Sequence, residues 1–158
     1  MEIGEALRKF TYGVYVIGAP GPNYPNFMTA AWVVRLSEEP PLVGVAVANE
    51  HYTCELLNAA GPGCVFGLSV LGQGRGQALA KACGSVSGRQ EPKLSEGDYK
   101  FTRTGAPVLV DSVVYLACRL KESVPVGDHT LFIAEAICAH EGERSAETPL
   151  GRREGKYF

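Results

Sequence analysis

The order of strand-like and helix-like segments constrains the fold of this chain most strongly. Runs rich in valine, isoleucine and aromatic residues recur along the sequence, and only a few short helical patterns separate them. Such residues favour strands, and a parallel sheet would need a long crossover, usually a helix, between successive strands. Strands and helices do not alternate in this way here. The sequence therefore predicts a mainly β protein, an antiparallel barrel with a few short helices, rather than a doubly wound fold.

The individual elements follow from hydrophobic periodicity and from turn residues. Strands are predicted at residues 14–18, 28–36, 42–47, 64–70, 107–110, 112–124 and 130–140. Short helices are predicted at residues 3–10, 53–60 and 76–83, the second with Thr53 near its N-cap. We interpret residues 28–36 and 42–47 as paired central strands and residues 84–97 as a long functional loop.

Length and composition favour one globular domain over residues 1–158. Hydrophobic residues make up 46% of the 158 residues and charged residues 20%, which is typical of a chain that buries its own core. The five cysteines are odd in number and form no Cys-x-x-Cys pair, so we interpret them as buried, reduced thiols and predict no metal site.

Charge and hydropathy argue against two classes of partner. The net charge is -2 and no basic tract occurs, which argues against nucleic acid. No apolar run approaches the roughly 20 residues that span a bilayer, and the first residues are acidic rather than signal-like. We therefore expect a cytoplasmic protein that does not bind membranes.

Three polar insertions interrupt the apolar runs, at residues 26–29, 49–53 and 84–89, and each is a candidate ligand loop. In the first, the Thr29 hydroxyl lies beside the small residues Ala30 and Ala31, which would let a flat ligand approach backbone N–H groups. A turn closed by Asn26 with apolar neighbours in the core explains the same residues without a ligand.

The second and third insertions have the chemistry of phosphate sites. Residues 49–53 precede a predicted helix, whose N-terminal N–H groups and dipole attract anions; an ordinary helix cap is the alternative. Residues 84–89 combine hydroxyls, glycines and Arg89, whose guanidinium can pair with two phosphate oxygens; a solvent-exposed linker explains them equally well.

Gly127-Asp128-His129 lies between the last two predicted strands. His129 there could donate to a ligand or transfer a proton, whereas a plain hairpin turn needs no such role. The sequence lacks a Gly-x-Gly-x-x-Gly motif after a strand, so a nicotinamide nucleotide would visit as a substrate rather than bind to a Rossmann turn.

Four segments, read in order, resemble the flavin reductase family, and the resemblance covers nearly the whole chain. They are Asn26-Phe27-Met28-Thr29-Ala30-Ala31-Trp32, Ser37-Glu38-Glu39-Pro40-Pro41-Leu42-Val43, Gly84-Ser85-Val86-Ser87-Gly88-Arg89 and Gly127-Asp128-His129-Thr130-Leu131-Phe132. Met28 and Trp32 look most like the flavoredoxin-type branch, small FMN proteins of anaerobic electron transfer. Two departures are Ala31, where relatives often carry serine, and residues 90–94, which lack the family's regular acidic-basic-aromatic continuation.

The resemblance implies an FMN-binding split β-barrel, a Greek-key antiparallel barrel that forms a homodimer with the flavin at the subunit interface. The residues it assigns to the edge of the flavin ring are Asn26, Met28, Thr29, Ala30 and Ala31. Those it assigns to the phosphate are His51, Tyr52, Thr53, Ser85, Ser87, Gly88 and Arg89. His129 would approach both flavin and nicotinamide as the catalytic residue.

The implied activity is that of an oxidoreductase in which NADH or NADPH reduces FMN and electrons pass on to free flavin, ferric iron or a redox protein. The alternative is an FMN electron carrier that a partner protein reduces. The sequence does not distinguish NADH from NADPH, because no recognised turn positions a ribose-reading acid or a phosphate-reading arginine.

Overall fold

The computed structural model describes residues 1–158, which form twelve strands, three α-helices and one 3-10 turn. The strands are β1 (Tyr12–Gly13), β2 (Tyr15–Ala19), β3 (Asn26–Ala30), β4 (Val33–Ser37), β5 (Leu42–Ala48), β6 (Val65–Val70), β7 (Tyr99–Phe101), β8 (Pro107–Leu109), β9 (Val114–Val126), β10 (His129–Glu141), β11 (Gly151–Arg153) and β12 (Lys156–Tyr157). The helices are α1 (Ile3–Leu7), α2 (Tyr52–Ala60) and α3 (Gly76–Gly84), and the 3-10 turn is Glu96–Asp98.

Seven strands form one antiparallel sheet in the order β3-β2-β6-β9-β10-β5-β4. The two edge strands, β3 and β4, are separated in sequence only by Ala31 and Trp32. In a flat sheet with strands about 4.8 Å apart these edges would lie roughly 29 Å from each other, whereas the three residue steps between them reach at most about 11 Å. The sheet must therefore curl until its edges approach, which confirms the predicted antiparallel barrel.

The prediction of one central strand over residues 28–36 is wrong. This run is two strands that bend apart at Ala31 and Trp32, and each lies at an edge of the sheet. Neither proline nor glycine marks the break, because closure of the barrel imposes it. The sequence also missed four short strands, β1, β7, β11 and β12, which contain too few residues to show a period.

Side chains alternate between two hydrophobic clusters on the two faces of β2. Ile17 and Ala19 belong to the larger cluster inside the barrel, which also contains Phe66, Phe132 and Leu57 of α2. The opposite face contributes to the second cluster, which packs β2 and β3 against α3; its members are Val14, Val16, Phe27, Leu71, Leu79, Ala80, Cys83, Leu109 and Leu150. This second cluster fixes the end of α3 beside β3.

Two glycines let β8 cross closely over the sheet. Gly18 and Gly67 face each other in the β2–β6 pair. A Cβ atom built on Gly18 would lie 2.1 Å from the Pro107 carbonyl oxygen, and one on Gly67 only 1.8 Å from it. Since no side chain fits there, these positions require glycine.

The β9–β10 hairpin positions the Gly-Asp-His motif. Gly127, in its turn, has a φ of 57°, a left-handed conformation that favours glycine. His129 opens β10 and pairs with Ala48 at the end of β5, four residues before α2 begins at Tyr52. The hairpin turn therefore lies near the N-terminus of α2.

None of the helices is long and apolar enough to cross a membrane. No group of three or more histidine, cysteine, aspartate or glutamate side chains is positioned to hold a metal ion.

Candidate functional site

A cleft of about 340 Å³ lies where the edge strand β3, the N-terminus of α2 and the loop after α3 meet. The three elements correspond to the three polar insertions that the sequence singles out. The residues lining the cleft are Asn26, Met28, Thr29, Glu50, His51, Tyr52, Thr53, Cys83, Gly84, Ser85, Val86, Ser87, Gly88, Arg89 and Lys93. Ten of the twelve predicted cofactor-binding residues are therefore in one place; Ala30 and Ala31 are not.

Asn26 joins the first two insertions at the base of the cleft. Its side-chain amide donates to the Thr53 hydroxyl at 2.8 Å. Asn26 is only 2% exposed, and its Oδ1 atom has no hydrogen-bond partner within the chain. A buried acceptor without a partner is costly. This oxygen has no access to solvent and Gly88 packs against it, so a ligand donor could reach it only if the loop that carries Gly88 shifted.

Gly88 holds the third insertion against the same amide. A Cβ atom built on Gly88 would lie 1.9 Å from Asn26 Oδ1. The Tyr24 hydroxyl donates to the Gly88 carbonyl at 2.8 Å, which ties the loop down from its other side. The loop can approach β3 this closely only because residue 88 has no side chain.

Thr29 has a narrower role than the sequence suggested. Its hydroxyl donates to the Ala80 carbonyl of α3 at 2.6 Å. A hydroxyl has one proton, so this oxygen can accept a hydrogen bond from a ligand but cannot donate one as well. Donors to a ligand must come from the backbone, where β3, as an edge strand, leaves alternate N–H groups unpaired by a neighbouring strand.

The N-terminus of α2 opens into the cleft without a side-chain cap. His51, rather than Thr53, is the N-cap residue, and no side-chain hydrogen bond caps the helix. Thr53 instead accepts from Asn26. The first amide groups of a helix have no partner inside it, so those of Tyr52 and Thr53 are suited to an anion.

Two cationic side chains reach the cleft. The Arg89 guanidinium lies 4.6 Å from the centre of the Tyr52 ring and forms an ion pair with Glu55 of α2 at 2.5 Å. Lys93 donates from Nζ to the Cys83 carbonyl at 2.8 Å. Burial lowers the pKa of Lys93 from its ordinary value, as expected for an ammonium group that lacks a counter-charge.

Lys93 is the residue that sequence reasoning missed. The irregular residues around it left residues 90–94 without an assignment, and only its positive charge shortly after Arg89 could have pointed to it. Cys83 also lines the cleft, but burial raises the pKa of its thiol to about 11. The thiol therefore stays protonated at neutral pH and is a poor nucleophile.

Three predicted site residues lie outside the lining of this cleft. Ala30 belongs to the hydrophobic cluster inside the barrel, because the alternation of β3 turns its side chain inward. Ala31 lines a separate cavity with Trp32 and Tyr12. His129 lies at the start of β10 and does not line the cleft, so the structure does not bring it together with the other predicted residues.

Two neighbours hold the His129 ring. Its Nδ1 atom lies 2.6 Å from Oδ1 of Asp128, and the ring stacks on Trp32 with centroids 4.5 Å apart at 29°. The hydrogen bond with His129 lowers the pKa of the Asp128 carboxyl. Since Trp32 lies two residues after the end of β3, this stack links the His129 turn to the strand that lines the cleft.

The donors and acceptors of the cleft fit FMN. The helix N-terminus, Arg89 and Lys93 suit a dianionic phosphate, which needs cations and N–H donors. Met28 offers an apolar wall for the ring, and the donors for the phosphate outnumber the one carboxylate that lines the cleft, Glu50.

The fold and the cleft together define a small antiparallel-barrel protein with a site suited to an anionic ligand. The family follows from comparison with known proteins, because the model of the flavin reductase like domain matches residues 7–158. The chain therefore belongs to the flavin reductase family, as the sequence motifs predicted.

Two relatives illustrate the range of this family. An NADH:FMN oxidoreductase of Rhodococcus erythropolis is 30% identical over 155 residues, which cover 97% of this chain and 78% of that protein. A high molecular weight rubredoxin of Moorella thermoacetica is 33% identical over 130 residues, 82% of this chain, but the match spans only 56% of that longer protein.

Solved structures of two other proteins have the same fold. The NADH:FAD oxidoreductase SgcE6 of Streptomyces globisporus superimposes with a TM-score of 0.86 at 26% identity, covering 99% of this chain and 90% of that one. A flavoredoxin of Methanosarcina acetivorans gives a TM-score of 0.83 at 25% identity, covering 94% and 84%. The fold is thus the split barrel of flavin reductases.

Proposed function

We propose that this protein is an FMN-dependent oxidoreductase that takes reducing equivalents from NADH or NADPH. The observation that carries the proposal is the cleft, where an uncapped helix N-terminus and two cationic side chains converge. Family membership over residues 7–158 supports the same reading. FMN, when bound, accepts hydride from the nicotinamide and passes electrons to free flavin, ferric iron or a redox protein.

The chain's own residues would hold the cofactor. Lys93, Arg89 and the first amides of α2 bind the phosphate, and the Ser87 hydroxyl, whose proton is free, extends the same anion site. The Ser85 hydroxyl already donates to the Lys81 carbonyl and cannot donate to the phosphate as well. Asn26 supports the site from its base through the hydrogen bond to Thr53. The Glu55 carboxylate already neutralises part of the Arg89 charge, so Lys93 carries the larger share of the phosphate attraction.

His129 is proposed as the residue that meets the nicotinamide. Asp128 holds its ring through the hydrogen bond at Nδ1, and Trp32 holds it by stacking. Because His129 lies outside the cleft lining, its effect should appear in hydride transfer rather than in retention of FMN.

A homodimer is proposed because the outer face of β4 is apolar. Val34 and Leu36 are 53% and 44% exposed. A groove of about 260 Å³ runs from β4 towards Leu116 of β9 and is lined mostly by hydrophobic side chains. Exposed apolar patches of this kind mark interfaces between proteins, and sedimentation at several protein concentrations measures the association directly.

The alternative function is an FMN electron carrier that a protein partner reduces. The similarity of the fold to that of the flavoredoxin structure supports this alternative. Anaerobic stopped-flow mixing of the FMN-loaded protein with NADH, and separately with NADPH, distinguishes the two. The oxidoreductase bleaches the flavin absorbance with at least one nucleotide, whereas no bleaching with either one leaves only the carrier.

A further inference from the structure

A second cavity, of about 410 Å³, lies at the opposite end of the sheet from the FMN cleft. The cleft begins at Asn26, which pairs with Ala19 at one end of β2. Tyr115, in the second cavity, pairs with Ser69 near the other end of β6. The residues lining it are Lys100, Phe101, Thr102, Arg103, Thr104, Tyr115, Cys138 and His140, none of which lines the cleft.

The lining of this cavity is cationic and has no counter-charge. It contains Lys100 and Arg103 but no carboxylate, and neither cation forms an ion pair with another residue. The whole chain carries a net charge of -2. The two unpaired cations therefore make the charge at this cavity positive, opposite in sign to that of the whole chain. Such a reversal concentrates anions at the surface.

Tyr115 is the second, independent observation. The residue is only 7% exposed, but its hydroxyl reaches solvent and makes no hydrogen bond within the chain, so its proton is free. The Lys100 ammonium lies 4.8 Å from the centre of the Tyr115 ring, and the His140 ring lies 5.5 Å away. An unpartnered donor thus lies beside the cations.

The turn that carries Arg103 is held in shape before any ligand arrives. The Thr102 hydroxyl accepts from the Ala106 N–H at 3.1 Å and lies 2.9 Å from the Thr104 hydroxyl. Gly105, with a φ of 89°, closes the turn. A preformed turn loses less conformational freedom on binding than a loose one does.

We propose that this cavity binds a phosphate monoester. A phosphoryl group carries close to two negative charges near pH 7 and three acceptor oxygens, which match Lys100, Arg103 and the hydroxyl donors. Phe101, at the rim, is 56% exposed and offers an apolar surface to the organic part of the ester. The site is separate from the cleft and does not depend on the function proposed for it.

The test uses AMP, inorganic phosphate and adenosine as three probes on the FMN-treated protein, with backbone amide NMR as the readout. We expect AMP at about 10 mM to shift the amides of residues 100–104, since even a Kd of 1 mM would give near-saturation. Shifts with phosphate alone would also support the site, and their size relative to AMP shows how much the organic part contributes. Equal shifts with adenosine would overturn the assignment to phosphate.

Two variants make the test specific. The double variant Lys100→Gln/Arg103→Gln should weaken AMP binding at least about tenfold, or 1.4 kcal/mol. Arg119→Gln is the matched control, because Arg119 is an exposed cation on β9 that lines neither cavity. No shifts with AMP, shifts confined to residues 84–89, or equal losses in both variants would each contradict the proposal.

Discussion

Gly88→Ala tests the contact between the loop and β3 that shapes the proposed FMN cleft. The added Cβ atom would lie 1.9 Å from Asn26 Oδ1, whereas carbon and oxygen atoms in contact need more than 3 Å, so the two must separate by roughly 1 Å or more. Either the loop moves outward and carries Arg89 with it, or Asn26 rotates and loses its 2.8 Å hydrogen bond to Thr53. Both outcomes change the cleft.

The magnitudes follow from those two outcomes. Rotation of Asn26 removes a hydrogen bond and leaves buried groups unsatisfied, which lowers the free energy of unfolding by about 1–3 kcal/mol. Displacement of the loop weakens the charge-assisted contact of Arg89 by a similar amount, which raises the Kd for FMN about tenfold or more.

Quenching of flavin fluorescence measures the FMN affinity, and denaturant unfolding measures the stability. The matched control is Gly97→Ala, because a Cβ atom there would meet nothing within 4 Å and Gly97 has no left-handed φ. If Gly88→Ala matched Gly97→Ala in both FMN affinity and stability, the described contact between loop and strand would be wrong.

Three further predictions concern other side chains. Glu55→Gln should tighten FMN binding severalfold, because it frees the Arg89 guanidinium from its ion pair; unchanged affinity in an FMN titration would remove Arg89 from the phosphate site. His129→Ala should slow flavin reduction by NAD(P)H at least about tenfold while changing the Kd for FMN less, and stopped-flow rates equal to the parent's would end its catalytic role. Burial raises the pKa of Cys83 to about 11 and of Cys118 to about 12. Because both folded-state values exceed the unfolded value of about 8.5, their contribution to stability is complete below that pH and is lost as pH rises through 9 to 12. The free energy of unfolding should therefore fall over that range, and both thiols should resist alkylation at pH 8.5 in the folded protein but not in denaturant.

Local sequence signals predicted most of the candidate site. The polar insertions containing Asn26, Thr53 and Gly88 stand out because each interrupts an apolar run, and the fold brings all three together although they are far apart in the chain. No local signal in the sequence predicts that these three residues contact one another. The missing side chain of Gly88 matters only because Asn26 lies 1.9 Å from where its Cβ would be.

The features that the sequence did not predict all depend on contacts between residues that are far apart in the chain. The break at Ala31 and Trp32 arises from closure of the barrel, which depends on seven strands and not on the two residues themselves. Lys93 reaches the cleft because Cys83 at the end of α3 accepts its hydrogen bond, a contact that the irregular residues around it do not indicate. His129 was assigned from its motif, which carries no information on its stack with Trp32.

The most direct test of the central claim is equilibrium dialysis of FMN against the protein and against the variant Arg89→Gln/Lys93→Gln. We predict one FMN per chain for the parent. Loss of two charge-assisted contacts, each worth about 1.5–3 kcal/mol, should weaken binding by about a hundredfold or more in the variant. No FMN uptake by the parent, or equal uptake by both proteins, would contradict the assignment of FMN to this cleft.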